Sequence, residues 1–348
     1  MMVGVGMLPG FLKFGGKRVP KWFIPAVGYV ISLACLIWVF KGVNLAEMRD
    51  NFRSIHWGWV VLAVGADIAV YIFQAWRWNL LLSPVVRAPL WRSVQAIYVG
   101  LFANEVFPLR PGEVIRCFLQ ARWSRLPFSV ALSSVIIERI FDGIWLVLVF
   151  AVSTAFVRLP RSLMEGGRVL GVVTLGAALV LGLVMFRKHH AHAAVANTRW
   201  SERLRVLVED LHLMGNSPSF YAAAAASSLY LLIQVIPVYA LMRGFEFDLS
   251  IGAATVVVII WRLGTVLPQA PGNIGSSQAL IVMALGLFGV NKSDATSFSV
   301  MTWTVITLPL LIAGFIALAI TDMKLGELRR HANSMASPAE AGSETRPE

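Results

Sequence analysis

Charge is what this sequence holds least of. Asp, Glu, Lys and Arg make up 14% of its 348 residues, against about 25% in an average soluble domain. Several windows of about 18 residues or more carry almost no charge, which excludes a water-soluble globular core and leaves membrane-spanning helices. Cysteine is scarce too. Cys35 and Cys117 are the two present; both lie in or near apolar segments, and a disulfide framework cannot be built from them. The longest internal polar stretch, 187–217, has about 31 residues, too few for a separate catalytic domain. No P-loop, dinucleotide fingerprint or Asp-rich magnesium-diphosphate pair occurs. Ser276 and Ser277 follow a glycine, as an intramembrane nucleophile could, but every histidine falls in a loop or tail, so a buried base is lacking. His189, His190 and His192 sit in a basic loop without a nearby cysteine or paired carboxylate, which makes a poor metal site. The expectation is a protein that is not an enzyme and uses no metal and no cofactor.

What is abundant is apolar. The chain is 57% hydrophobic with a mean hydropathy of +0.71. The pattern predicts an all-α polytopic membrane protein with about six full spans, at 22–40, 57–75, 128–157, 169–186, 219–242 and 296–320. Two further apolar regions, 93–125 and 251–289, are each interrupted by P-x-x-P-G, as FPLRPGEVIR (107–116) and LPQAPGNIGS (267–276). The net charge of +11 comes without a basic stripe interleaved with exposed aromatics, so nucleic acid is not an expected partner. The excess marks cytoplasmic ends of spans facing anionic lipid. On that rule 1–21, 76–92 (with Arg77, Arg87 and Arg92), 187–217 and the tail lie in the cytoplasm. The segments 41–56, 243–250 and 290–295 lie outside. The loop 158–168 carries Arg158, Arg161 and Arg168, yet the parity of crossings puts it outside. The run from Trp22 to Phe40 reads as a retained first helix rather than a cleaved signal. The organisation is then a basic arm (1–21), a transmembrane domain (22–320) and a polar, disordered tail (321–348). Both termini are expected on the cytoplasmic side of the inner membrane.

This orientation makes 93–125 leave the cytoplasm and return, and 251–289 leave the outside and return. Each is a hairpin, fully spanning or re-entrant, with P-x-x-P-G at its tip, and the two enter from opposite faces. The halves 57–157 and 219–320 repeat at an offset near 160, the pattern of an inverted repeat. Broken helices at matching positions point to a transport site near the midplane.

Proline removes a backbone donor, and freed backbone groups survive in a membrane only where protein or a wet cavity satisfies them. A helix restarting after Pro111–Gly112 has free N–H groups that attract an anion such as phosphate, and Pro271–Gly272 offers a second such end. The first break adds Arg110, Glu113 and Arg116; Glu113 and Arg116 are spaced to pair on a helix, and two guanidiniums suit a phosphodiester. Glu138, Arg139 and Asp142 fall inside the next apolar run, where each charge costs about 2.5–3.5 kcal/mol. Glu138 and Asp142 share a helix face and need a cation or proton between them. Arg139 points elsewhere, with Glu105 and Glu113 as candidate partners. Asp67, mid-span, is a candidate partner for Arg262, the second break's counterpart cation. Asn104 is placed to contact a headgroup or cap a broken helix.

The run N-E-x-F-P-x-R-x-G-E-x-x-R (104–116), then E-R-x-x-D (138–142), then P-x-x-P-G-x-x-G (268–275) resembles the lysylphosphatidylglycerol synthase transmembrane region, or flippase-like domain, family, over roughly 22–320. The resemblance implies a lipid flippase or transporter for a phospholipid, a polyprenyl-phosphate-linked lipid or a hopanoid, standing alone without the synthase domain. It implies membrane lipids as partners, with a separate lipid-biosynthetic enzyme, and leaves the oligomeric state open. The headgroup site comprises Asn104, Arg110, Gly112, Glu113, Arg116, Glu138, Arg139 and Asp142, with Pro108 a further position that matches the family motif. The second broken helix contributes Arg262, Pro268, Pro271, Gly272, Gly275 and Gln278. Two positions depart from the family pattern: Asn273 stands where a glycine is usual, and Gln278 where a glutamate is usual. A neutral amide cannot pair with a cationic headgroup, which counts against a lysyl-lipid cargo. An ion-coupled transporter of a small anion, or a non-transporting accessory of envelope lipid synthesis, would use the same broken helices.

Overall fold

The computed structural model describes residues 13–14, 17–18, 23–107, 110–156, 161–186, 209, 214–215, 217–264 and 270–321. Pro108, Pro268, the histidine cluster at 189–192 and the polar tail beyond 321 lie outside the described residues. A two-residue ribbon, β1 (Lys13–Phe14) against β2 (Lys17–Arg18), precedes a helical bundle.

The first helix, α1 (Phe23–Phe40), bends by 86° into the short α2 (Leu45–Ser54). Asn44 starts α2 by accepting the Ala46 N–H at 3.0 Å, and Glu47 and Arg53 complement the helix dipole. The first half of the bundle is α3 (Trp57–Leu82), α4 (Leu90–Val106), α5 (Gly112–Ser124) and α6 (Phe128–Phe156). α7 (Arg161–Phe186) connects it to the second half. There α8 (Pro218–Ile233) and α9 (Val235–Gly244) form one broken span. α10 (Ile251–Gly264), a 3₁₀ turn (Pro271–Asn273), α11 (Ser276–Gly286) and α12 (Lys292–Ala319) follow. Ser217 caps α8 and Pro218 opens it, the usual N-terminal pairing of an oxygen acceptor with a residue that has no N–H to satisfy.

Helices occupy all six segments expected to span. α3, α8–α9 and α12 are long and apolar enough to cross a membrane, and α1, α6 and α7 are 18, 29 and 26 residues long. Two boundaries change. α3 runs seven residues past the expected end at 75, because Leu80, Leu81 and Leu82 continue its apolar pattern beyond Arg77. α7 starts at Arg161, so most of the expected loop 158–168 is helix, with Arg161 and Arg168 exposed on its first turns; Arg158 lies outside the described residues.

The two halves run in opposite directions. The start of α3 meets the end of α9, where the His56 N–H donates to the Gly244 carbonyl at 3.0 Å. The far end of α3 meets the start of α8, where Arg77 donates to Ser227 Oγ at 3.0 Å and Tyr230 donates to Gln74 Oε1 at 3.3 Å. Contacts repeat across the pair: α4 packs on α12 as α10 packs on α6, and α3 packs on α12 as α8 packs on α6. Two apolar cores form, one around Trp78, Ile97, Ile115 and Leu119 with Ala223 and Ala317 added from the second half, the other around Leu241, Ile260, Leu285 and Phe298 with Val60 and Ala63 added from α3. Outward-facing Val61, Leu62, Val172, Leu179, Ile312 and Phe315 are exposed, as a lipid-facing surface requires.

α5 and α11 have 13 and 11 residues. At 1.5 Å per residue they reach about 20 and 16 Å, short of the ~30 Å hydrocarbon core. Neither helix is long enough to cross it alone. Their tips meet: Arg110 donates to Asn273 Oδ1 at 3.4 Å, and Asn273 Nδ2 donates to Glu105 Oε1 at 3.5 Å.

Candidate functional site

The first hairpin closes through a glycine contact. The α-carbons of Gly100 and Gly112 approach so closely that a β-carbon on Gly100 would lie 2.7 Å from the Gly112 carbonyl, and one on Gly112 would collide with the Gly100 carbonyl. This brings α5 flat against α4 and lets Asn104 Oδ1 accept the Gly112 N–H at 2.7 Å. The predicted cap is thus formed, and Gly112 is not left as an open donor for an anion. Arg110, just before it, holds a positive φ of 50°, a conformation that costs energy for a side-chain-bearing residue and clusters at functional sites.

The second break is built differently. No helix begins at Pro271–Gly272. The chain makes a 3₁₀ turn with Gly272 and Asn273 at φ 72° and 51°, then turns again at Gly275 (φ 88°) before α11 starts at Ser276. Gly275 is required twice over, by its φ and by the Ser32 carbonyl of α1 lying where a β-carbon would project. Its N–H donates to Gln278 Oε1 at 2.6 Å. Gln278 therefore serves as a helix cap, which an amide does as well as a carboxylate. Trp303 of α12 donates to the Gly272 carbonyl at 2.7 Å, and Ser276 and Ser277 are taken up by the Asn273 carbonyl and the Trp261 indole.

Between the first hairpin, α3 and α6 lies a buried ionic cluster. Glu138 has no exposed surface and divides its oxygens between Arg77 Nη2 (2.6 Å) and Arg116 Nη2 (2.7 Å). Arg116 also reaches Glu113 at 2.7 Å, the expected pair three residues apart. Arg77 forks between Glu138 and Asp142, supplying the cation that two like charges on one helix face demand. Arg139 borders Asp142 (3.4 Å), Glu138 (3.6 Å) and, at 4.0 Å, Glu113. The predicted alternative partner for Arg139, Glu105, is instead at the tips beside Asn273. Three guanidiniums and three carboxylates thus balance one another, and Trp78 and Tyr230 lay their rings against Arg116 and Arg77 at 4.9 and 4.3 Å. Balance matters because an unpaired charge in such an interior costs several kcal/mol.

Arg77 is the central correction. Placed by its charge in a cytoplasmic loop, it is fully buried in α3 and bridges both halves. The signal was present in Leu80–Leu82 and in the flanking Trp76 and Trp78, which carry the helix past it. A second correction concerns Arg262. It does not form an ion pair with Asp67; it donates to Gln234 Oε1 at the break between α8 and α9. Cys35 and Cys117 are free thiols.

The cluster is not fully satisfied from within. Arg77 Nε, Arg116 Nη1 and Arg139 Nε in the cluster, and Glu105 Oε2 at the tips, are buried and find no hydrogen-bond partner among the described residues. Buried polar atoms of this kind call for a guest, either water or a polar ligand group. The unpartnered atoms suit a polar group carrying both acceptor oxygens and donor hydrogens.

Comparison with known proteins agrees with this architecture. A family model described as the lysylphosphatidylglycerol synthase TM region matches residues 26–314. The UPF0104 membrane protein MJ1595 of Methanocaldococcus jannaschii is 19% identical, with 85% of this chain and 94% of the relative covered. Two UPF0104 membrane proteins of Methanothermobacter thermautotrophicus are each 22% identical; the matches cover 78% of this chain in both cases and 84% and 87% of the relatives.

Proposed function

The chain belongs to the lysylphosphatidylglycerol synthase TM region family, multi-pass membrane proteins related to lipid handling, and from that premise we propose that it moves a polar-headed lipid between the leaflets of the cytoplasmic membrane. The headgroup passes between the two hairpin tips and over the ionic cluster, while the hydrocarbon chains stay in lipid. Arg110 and the unpartnered edge of Arg116 receive phosphate oxygens, and Glu105 receives a donor group of the headgroup. Glu113, Glu138 and Asp142 hold the guanidiniums in place, so that no net charge is stored when the site is empty. The protein acts as a transporter and not as an enzyme. Its partners are membrane lipids and the enzyme that makes the cargo, and both termini face the cytoplasm.

The observation that supports this reading is the meeting of two opposed hairpin tips, Arg110 to Asn273 to Glu105, through hydrogen bonds of 3.4 and 3.5 Å. Contacts this long are weak and can yield to a headgroup without dismantling either arm. The test is lipid flip-flop in proteoliposomes of native lipid extract, comparing wild type with Arg110→Ala and Glu138→Gln. Protein-dependent movement that is lost in both folded variants supports the reading. Absence of movement of every lipid class tested overturns it.

A further inference from the structure

The buried carboxylates of the described residues all have partners save one. Glu138, Asp142 and Glu113 share the three arginines, and Glu105 accepts from Asn273. Asp67 is 6% exposed, yet among the described residues none makes an ion pair or hydrogen bond with its carboxylate; Arg262 acts on it only through its field. It lies in the middle of α3, the helix that packs against both α8 and α9 and so forms the seam between the two halves. The groups that act on it electrostatically are few. Tyr71 is one turn along α3, Tyr98 comes from α4, and Arg262 comes from α10, held by Gln234. The other helices against α3 bring no charged group to it among the described residues. α6 directs its carboxylates to Arg77, and α8 carries no charged residue, its Tyr230 being stacked on that guanidinium. Tyr71 and Tyr98 touch edge to face at 5.4 Å, and Tyr230 hydrogen-bonds Gln74, so polar side chains continue from Asp67 along α3 to the ionic cluster.

A carboxylate cannot stay ionised in this setting without a partner, because desolvation of a lone charge costs more than binding a proton. It can ionise only when a rearrangement of the seam brings water or a cation to it. The seam between inverted halves is where an alternating-access transporter moves. We propose that Asp67 is a proton site: it takes a proton from water on one side, carries it as the neutral acid while the seam is closed, and releases it to water on the other side. Lipid movement is thereby coupled to the proton gradient. This inference rests on the flippase reading and adds its driving force.

Two measurements on the full-length protein keep the two readings separable. The first is independent of transport: infrared titration of the reconstituted protein, following the protonated-carboxyl stretch in wild type and Asp67→Asn. A titrating band in wild type that disappears in Asp67→Asn and returns in Asp67→Glu is expected. A spectrum identical in wild type and Asp67→Asn overturns the proposal. The second measures movement of fluorescent phosphatidylethanolamine and phosphatidylglycerol in proteoliposomes, with an imposed pH gradient and a pH dye inside. Wild type is expected to move lipid severalfold faster with the gradient and to lose the gain with a protonophore. Asp67→Asn is expected to keep the gradient-free rate and lose the gain. Acceleration by a sodium gradient and not by a proton gradient overturns the proposal while leaving the flippase intact. Lipid that never moves, with the band still titrating, refutes the flippase reading and retains the proton site.

Discussion

At the first break the restarting helix is capped from the opposite arm, by Asn104; at the second it is capped from within, by Gln278 three residues on. The first is closed by two glycines in backbone contact, the second by Gly275 wedged against α1. Around the first gather Arg77, Arg116, Arg139, Glu113, Glu138 and Asp142. Around the second are amides, hydroxyls and an indole, with Arg262 turned toward Gln234. One backbone plan therefore supports two chemistries. The repeat secures the geometry of two opposed tips, and the formal charges gather on one side only. A charge-balanced cluster in one half and neutral polar groups in the other leave a gradient of polarity across the tips, which under the proposed function is the path offered to a headgroup.

The largest expected effect separates the two halves by stability. Glu138→Leu leaves Arg77 and Arg116 buried without their shared carboxylate and is expected to cost about 3–5 kcal/mol. Gln278→Ala removes one cap and is expected to cost about 1 kcal/mol. Thermal unfolding of both variants in detergent measures the difference, and equal losses would break the contrast between an ionic and a neutral half. The double variant Arg77→Met/Glu138→Leu removes one charge of each sign from the cluster. It is expected to be more stable than the sum of its single changes allows, by about 0.5–3 kcal/mol of coupling, and strict additivity would dissolve the cluster into independent pairs.

Gly112→Ala drives a β-carbon into the Gly100 carbonyl and is expected to cost about 1–3 kcal/mol by overpacking. Size-exclusion chromatography and unfolding temperature report it. If Gly112→Ala is as stable as wild type, the close approach of α4 and α5 is not needed. The smallest stability effect is at the tips. Asn273→Gly keeps the positive φ accessible, loses only two long hydrogen bonds and is expected to shift stability by less than about 0.5 kcal/mol while changing lipid movement measurably. A variant that moves lipid like wild type would remove Asn273 from the site.

Much of the architecture was legible in the chain. Apolar runs of 18 residues and more can satisfy their backbone in a membrane only as helices, so the spans follow from composition. Each P-x-x-P-G must break a helix, and the matching positions of two such breaks announced the repeat. Charges three or four apart on one helix, such as Glu113 with Arg116, declare their pairing locally, and that pair forms. Other features needed the fold. A helix was expected to restart after Pro271–Gly272, but the second turn at Gly275 delays it to Ser276. That delay is set by α1 lying against Gly275, a contact between residues far apart in sequence.

The sequence by itself determined that this is a helical membrane protein with two broken, oppositely directed hairpins and charged residues where charge is costly. Those properties depend on local composition and on spacings of a few residues. Only the tertiary structure decided which charges cancel. Arg77 and Glu138 are 61 residues apart; the apolar residues around Arg77 carry the helix past it, but nothing near it names the carboxylate that neutralises it. The same holds for Asp67, whose meaning lies in what fails to reach it. Electrostatic energy in a low-dielectric interior depends on distances of a few ångströms between groups, and only folding sets them.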